Sequence, residues 1–132
     1  MTYTLKFERA REAYAKAANS CDRTWNAYSK ARQALTKHRA KFSAQQRMID
    51  TSQAVADAIS RLDVKHGLLW AACYEEARTE LFSKARACVP FKAPNGDEIM
   101  ARKLSLFEEA KRWTPPAPAQ AEDVGPLFSV AA

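Results

Sequence analysis

A seven-residue repeat of large or apolar side chains dominates the first part of this 132-residue chain. Its members are Phe7, Tyr14, Cys21, Tyr28, Leu35, Phe42 and Ile49. A strict repeat of this period keeps one face of a helix in contact with a partner helix while the two supercoil. The repeat therefore predicts an all-α protein built on one long helix, which we place from about Thr4 to about Ile49.

The apolar pattern changes register after Ile49. It resumes one position out of phase, at Val55, Ile59, Leu62, His66, Leu69 and Cys73. Asp50, Thr51 and Ser52 lie at the change, and such residues favour turns and helix N-caps. The pattern predicts a long antiparallel, coiled-coil-like hairpin whose second helix runs from about Ser52 to about Ala87. One continuous helix, which would form a homodimer to bury its seam, is the alternative.

A third, shorter helix is expected after the breaker Pro90. Asn95 or Asp97 would cap it, and it would run to about Trp113 and cover the open end of the hairpin, where helix one is expected to outlast helix two. Four of the six prolines lie beyond Trp113. We therefore divide the chain into a helical domain, residues 1–113, and a flexible Pro/Ala-rich tail, residues 114–132.

The composition argues against several classes of protein. The longest apolar run, residues 67–73, is far too short to cross a bilayer, and the N-terminal residues lack the apolar core of a signal peptide. The three cysteines are odd in number and widely spaced, as in proteins with free thiols. These features predict a cytoplasmic protein.

No residue pattern indicates an enzyme. The sequence has no phosphate-binding glycine loop and no nucleophile elbow. Asp63 and His66 share a helix face, but a metal site in a bundle needs inward carboxylates from several helices, and helix one offers none on its seam. We expect neither a catalytic residue nor a metal or other cofactor.

Positive charge is concentrated on helix one. Residues 1–50 carry eleven Lys/Arg against four Asp/Glu, although the net charge of the whole chain is only +6. Five cations recur every seven residues, with Trp25, Arg32 and Arg39 close by in sequence: Arg9, Lys16, Arg23, Lys30 and Lys37. Cations in a row attract nucleic-acid phosphates, and an aromatic side chain can stack on exposed bases. These eight residues are the predicted binding site for DNA or RNA, with low sequence specificity; the alternative is an ordinary solvated face.

The tail ends in a short apolar segment after an acidic pair, Glu122-Asp123. Val124, Pro126, Leu127 and Phe128 are its candidate partner-binding residues. The segment resembles two bacterial replication peptides, the sliding-clamp-binding motif and the acidic tip of single-stranded DNA-binding proteins. Val124 stands where the clamp motif has glutamine, and four residues follow Phe128 where the other tip ends. The resemblance implies that the tail docks a protein partner, and the alternatives are that it folds back onto the helices or stays free.

The sequence thus predicts a non-enzymatic accessory protein that contacts nucleic-acid phosphates through helix one and a protein partner through its tail. The alternative is a coiled-coil interaction module without nucleic-acid contact, such as a phage-type inhibitor of a host nuclease or defence complex. In that case the basic face would meet an acidic protein surface.

Overall fold

The computed structural model describes residues 2–116, which form three helices and no strand. These are α1, Leu5–Lys37; α2, Phe42–Arg86; and α3, Gly96–Arg112. Helices α1 and α2 form a long antiparallel hairpin, and α3 packs mainly on α2 at the end where α1 begins. The predicted hairpin with a third, shorter helix is confirmed. Within the described part of the chain, no helix is long and apolar enough to cross a membrane.

The hairpin turns earlier than the sequence predicted. Helix α1 ends at Lys37 rather than near Ile49, and His38 donates its backbone N–H to the Ala34 carbonyl at 2.9 Å. The Lys41 N–H then closes the turn onto the His38 carbonyl at 3.0 Å. The predicted boundary was therefore wrong by about three helical turns.

The residues that indicated a turn lie inside α2, where their side chains form hydrogen bonds within the helix. The Thr51 hydroxyl donates to the carbonyls of Arg47 and Met48 at 2.8 and 3.2 Å. Asp50 accepts from the Gln46 amide one helical turn earlier, at 3.0 Å. Threonine and aspartate can satisfy their polar groups in this way without interrupting a helix, so their presence did not mark its start.

The early turn assigns Phe42 and Ile49 to α2, where both are exposed. One row of buried and half-buried positions on α2 is spaced in steps of three and four: Ala44, Met48, Thr51, Val55, Ala58, Leu62, Lys65, Leu69, Ala72 and Glu76. Four of the six residues predicted for this face are buried or half-buried, namely Val55, Leu62, Leu69 and Cys73, whereas Ile59 and His66 are exposed beside it. The apolar pattern located the face of α2 correctly to within about a quarter of a turn.

Helix α2 outlasts α1, contrary to the expectation that helix one would be the longer. The backbone N–H of Thr4, the N-cap of α1, lies 3.2 Å from the Glu76 carboxylate, so the last ten residues of α2 continue past the start of α1. Helix α3 packs against this part of the molecule. Its N-terminus is fixed by a capping box in which Asn95 and Glu98 exchange side-chain-to-backbone hydrogen bonds at 2.8 and 3.3 Å.

Most of the core lies where all three helices meet. It consists of Phe7, Leu69, Cys73, Ala77, Ile99, Leu106, Phe107 and Ala110. The other end of the hairpin, residues 18–59, has only two helices, and we refer to it as the arm. Its fully buried side chains are two alanines, Ala31 and Ala58. Small seam residues let α1 and α2 approach closely but bury little apolar area, so the three-helix end supplies most of the stability.

Candidate nucleic-acid interface

The five cations of the heptad row, which we call the basic row, all lie on α1. They are Arg9, Lys16, Arg23, Lys30 and Lys37, and all five are exposed. Each follows a residue of the predicted seam by two positions, which turns it by roughly 200° around the helix axis. The basic row therefore faces away from α2. Neighbouring cations are about 10.5 Å apart along the axis, and the row is about 42 Å long.

No cation of the basic row is neutralised by an ion pair within residues 2–116. The ion pairs in this part of the chain join Lys6 to Glu75, Arg102 to Glu80, and Glu108 to both Lys111 and Arg112. Acidic residues do occur near the row, namely Glu8, Glu12 and Asp22, but none lies within 4.0 Å of a basic group. The charge of the row is therefore free to act on an external anion.

The structure does not bring Trp25 and Arg32 together with the basic row. Trp25 follows Arg23 by two positions and Arg32 follows Lys30 by two, so both point roughly 200° away from the row. They lie instead beside Tyr28, whose ring is 5.6 Å from that of Trp25 and 5.9 Å from the Arg32 guanidinium carbon. The predicted site therefore consists of two separate surfaces on opposite sides of α1.

Arg39 lies at the tip of the hairpin, in the turn that follows α1. Its side chain is exposed, and its backbone carbonyl accepts a hydrogen bond from the Gln45 amide at 2.8 Å. This hydrogen bond stabilises the turn. Arg39 lies two residues beyond Lys37, the last cation of the basic row. Arg39 extends the positive charge around the tip.

Arg11, which flanks the row in sequence, is held within the molecule. Its guanidinium carbon lies 4.2 Å from the ring centre of Trp113 and 5.6 Å from those of Tyr3 and Phe7. Its Nε is buried and has no hydrogen-bond partner among the described residues. Arg11 thus joins the start of α1 to the end of α3, a role that sequence spacing alone did not reveal.

The predicted partner-binding residues, Val124, Pro126, Leu127 and Phe128, lie outside the described residues. The structure does show where the tail leaves the helices. Pro115 and Pro116 line a surface cleft together with Leu5, Arg9 and Trp113. The tail therefore starts on α1, beside the first cation of the basic row.

Titratable groups outside the basic row show shifts with structural causes. Burial raises the pKa of the Cys73 thiol to about 11, which keeps it protonated and unreactive at neutral pH. A hydrogen bond to Glu109, 2.7 Å long, raises the pKa of Tyr3. A hydrogen bond to Glu80 raises the pKa of Arg102. The two hydrogen bonds join α3 to the segment before α1 and to α2.

Metal-binding residue types are scattered. Between residues 2 and 116 there is no group of three or more His, Cys, Asp or Glu side chains arranged to hold a metal ion. His66 packs edge-on against Phe107, with ring centres 5.0 Å apart, and His38 caps the end of α1. His66 therefore packs against α3, and His38 lies in the turn of the hairpin.

Comparison with known proteins finds no matching family model, no matching curated protein and no matching solved structure.

Proposed function

We propose that this protein is a non-enzymatic accessory factor that binds the phosphates of DNA or RNA along the basic row. One observation carries the proposal: five cations in register, all exposed, and none in an ion pair within the described chain. The exposed cations are about 10.5 Å apart, roughly one Debye length at 0.1 M salt, so they repel one another only weakly and each can contact a separate phosphate. A polyanion that neutralises them would release its own counterions on binding.

The geometry also predicts the character of the binding. Because Trp25 and Arg32 lie on the opposite side of α1, base stacking cannot accompany phosphate contacts made by the row. Contacts with phosphates alone carry no sequence information. We therefore expect binding that depends steeply on salt and hardly at all on base sequence, with Trp25 making no contribution.

The test is fluorescence anisotropy with labelled single- and double-stranded DNA and RNA over a series of salt concentrations. The test variant replaces four row residues by glutamine: Lys16, Arg23, Lys30 and Lys37. A matched control replaces four exposed cations outside the row by glutamine: Arg61, Lys84, Arg86 and Lys92. Both variants lose four charges, so a difference between them reports position rather than net charge.

We expect the row variant to bind weakly, and its slope of log K against log salt to be shallower by up to about 3.6 for duplex DNA and about 2.8 for single strands. The control variant should keep most of the affinity and the slope. Equal losses in the two variants would mean that binding depends on net charge alone. An absence of binding by the unaltered protein at low salt would overturn the proposal.

A protein partner, bound through Val124, Pro126, Leu127 and Phe128, is the second part of the proposal. The acidic pair and apolar residues at the end of the tail support it. We further propose that the protein acts in the cytoplasm, where the three cysteines would remain reduced. Removal of residues 117–132 followed by affinity capture tests the partner; a truncated protein that retained every partner would contradict this part.

The second candidate function is a protein-interaction module without nucleic-acid contact. Exposed apolar side chains on α2 favour it, especially Phe42, Ile49, Val64 and Leu68. Such residues mark docking surfaces when they cluster. If the anisotropy experiment fails, capture of partners with the hairpin itself becomes the decisive experiment, and inhibition of a nuclease or defence complex is the activity to assay.

A further inference from the structure

The net positive charge of the chain is concentrated at the outer end of the arm. Residues 30–49, which we call the outer arm, contain six Lys/Arg and no Asp/Glu, whereas the rest of the chain contains fifteen of each. The outer arm therefore carries the entire net charge of +6. Its six cations are all exposed, and none forms an ion pair within residues 2–116: Lys30, Arg32, Lys37, Arg39, Lys41 and Arg47.

The acidic residues of the arm lie at or behind the inner border of this region. Lys30 is as far along α1 from Thr4 as Asp50 is along α2 from Glu76, and Thr4 contacts Glu76. Lys30 and Asp50 are therefore at similar heights, and both helices are free of acidic residues beyond them. Three of the six cations lie on α1 and the others lie in the turn and on α2. The outer arm is thus positive on several sides.

The start of α2 adds hydrogen-bond donors to the same region. Its N-cap, Lys41, makes no side-chain capping hydrogen bond, and its first turn contains no acidic residue. The first backbone N–H groups of a helix have no partner within that helix. Such groups bind phosphate oxygens when an anion approaches a helix N-terminus. The start of α2 can therefore add backbone donors to the contacts that the cations make.

An aromatic side chain lies among these cations. Phe42 is the first residue of α2 and directly follows Lys41. At 75% exposure it is the most exposed aromatic residue in the described part of the chain. Its ring takes no part in the aromatic pairs or cation–π contacts found there. Unlike Trp25, which lies opposite the basic row, Phe42 can therefore meet a ligand whose phosphates contact the cations of the turn.

This combination fits a single-stranded nucleic acid better than a duplex or a membrane. The bases of a duplex are stacked on one another, whereas an unpaired base has a free face that can stack on an aromatic ring. A flat anionic membrane would meet the turn, and Lys30 lies about 10.5 Å behind Lys37, roughly one Debye length. A single strand can follow the cations along the arm.

We propose that the outer arm binds single-stranded DNA or RNA, with Phe42 stacked on an unpaired base and the surrounding cations on its phosphates. This inference rests on the proposed function and names the ligand class: unpaired nucleotides are preferred to duplex. Aromatic stacking tolerates every base, so the expected low sequence specificity is retained.

The test is fluorescence anisotropy with a labelled oligothymidine and a duplex of equal length, over a series of salt concentrations. Phe42→Ala should weaken oligothymidine binding about 5-fold or more. It should leave duplex binding and the slope of log K against log salt unchanged, because it removes no charge. Phe42→Tyr should bind like the unaltered protein. The matched control is Phe91→Ala, which should change neither affinity, since Phe91 is 55% exposed beside Lys92 at the opposite end of the molecule.

A pair of triple variants tests the cations. Replacement of Arg39, Lys41 and Arg47 by glutamine should weaken oligothymidine binding more than replacement of Lys84, Arg86 and Lys92, which removes the same charge from the opposite end. Equal losses in the two triple variants would overturn the placement of the site on the outer arm.

The remaining outcomes separate this inference from the proposed function. If the unaltered protein binds both ligands and Phe42→Ala has no effect, or weakens both equally, the inference is overturned and phosphate binding by the basic row stands. If the unaltered protein binds neither ligand at low salt, both are overturned. Sedimentation with vesicles of phosphatidylserine and phosphatidylcholine is the last arm. Vesicle binding that depends on Phe42 would assign the outer arm to a membrane surface and overturn the inference.

Discussion

Two adjacent glutamates of α2 offer a sharp test of how the hairpin is held together. Glu76 is only 7% exposed, and its carboxylate accepts hydrogen bonds from the Thr4 hydroxyl at 2.6 Å and the Thr4 backbone N–H at 3.2 Å. Thr4 in turn caps α1, because its Oγ1 accepts from the Phe7 N–H at 3.3 Å. Glu75 instead pairs with Lys6 on the surface, where the two side chains are 56% and 66% exposed.

We expect Glu76→Gln to destabilise the protein far more than Glu75→Gln. Hydrogen bonds to a charged acceptor contribute about 1.5–3 kcal/mol, and a negative charge at a helix N-terminus about 0.3–1 kcal/mol. Because glutamine retains one acceptor oxygen, the expected loss for Glu76→Gln is about 2 kcal/mol. An exposed ion pair contributes about 0.2–1 kcal/mol, so the loss for Glu75→Gln should stay below about 0.5 kcal/mol.

Urea denaturation followed by circular dichroism measures both variants. A loss of about 2 kcal/mol corresponds to a decrease in Tm of about 8 °C for a folded part of this size. High salt should abolish the small effect of Glu75→Gln and leave most of the effect of Glu76→Gln, since buried contacts are screened less. Equal losses in the two variants, or a Glu76→Gln loss that salt removes, would refute the reasoning.

Three further predictions follow from burial. Gly67→Ala should stabilise the protein by about 0.5–1 kcal/mol, since a Cβ at Gly67 would meet no atom within 4 Å, and an unchanged or lower Tm would contradict this. Phe107→Ala should cost about 3–5 kcal/mol in urea denaturation, whereas the half-exposed Leu104→Ala should cost less than about 1 kcal/mol; similar losses would show that α3 is not anchored through Phe107. Cys73 should resist a thiol reagent in native protein at pH 8, because the side chain is buried and its pKa is raised to about 11. It should react only on unfolding. Prompt reaction of all three thiols in native protein would contradict this prediction.

The sequence alone determined the helical class and the order of the elements. Few breakers before Pro90 and a sustained heptad repeat leave a helical pair as the simplest way to bury the apolar stripe. The sequence offered Asn95 or Asp97 as the N-cap of α3, and the structure places the cap at Asn95, where Glu98 completes a capping box. The exposure of the basic row also followed from the sequence, since its members keep a constant angle to the seam.

Only the tertiary structure decided where the chain turns, which helix is longer and which cations are free. Helix propensities differ between most residue types by only a few tenths of a kcal/mol per residue, so the local sequence does not fix where a helix ends. Thr51 and Asp50 form side-chain hydrogen bonds within α2 and do not start a turn. The stacking of Arg11 on Trp113 joins residues about a hundred positions apart, which no local pattern records. Heptad spacing fixes the angle of a residue around its own helix, whereas the length of α2 beyond α1 depends on contacts between helices.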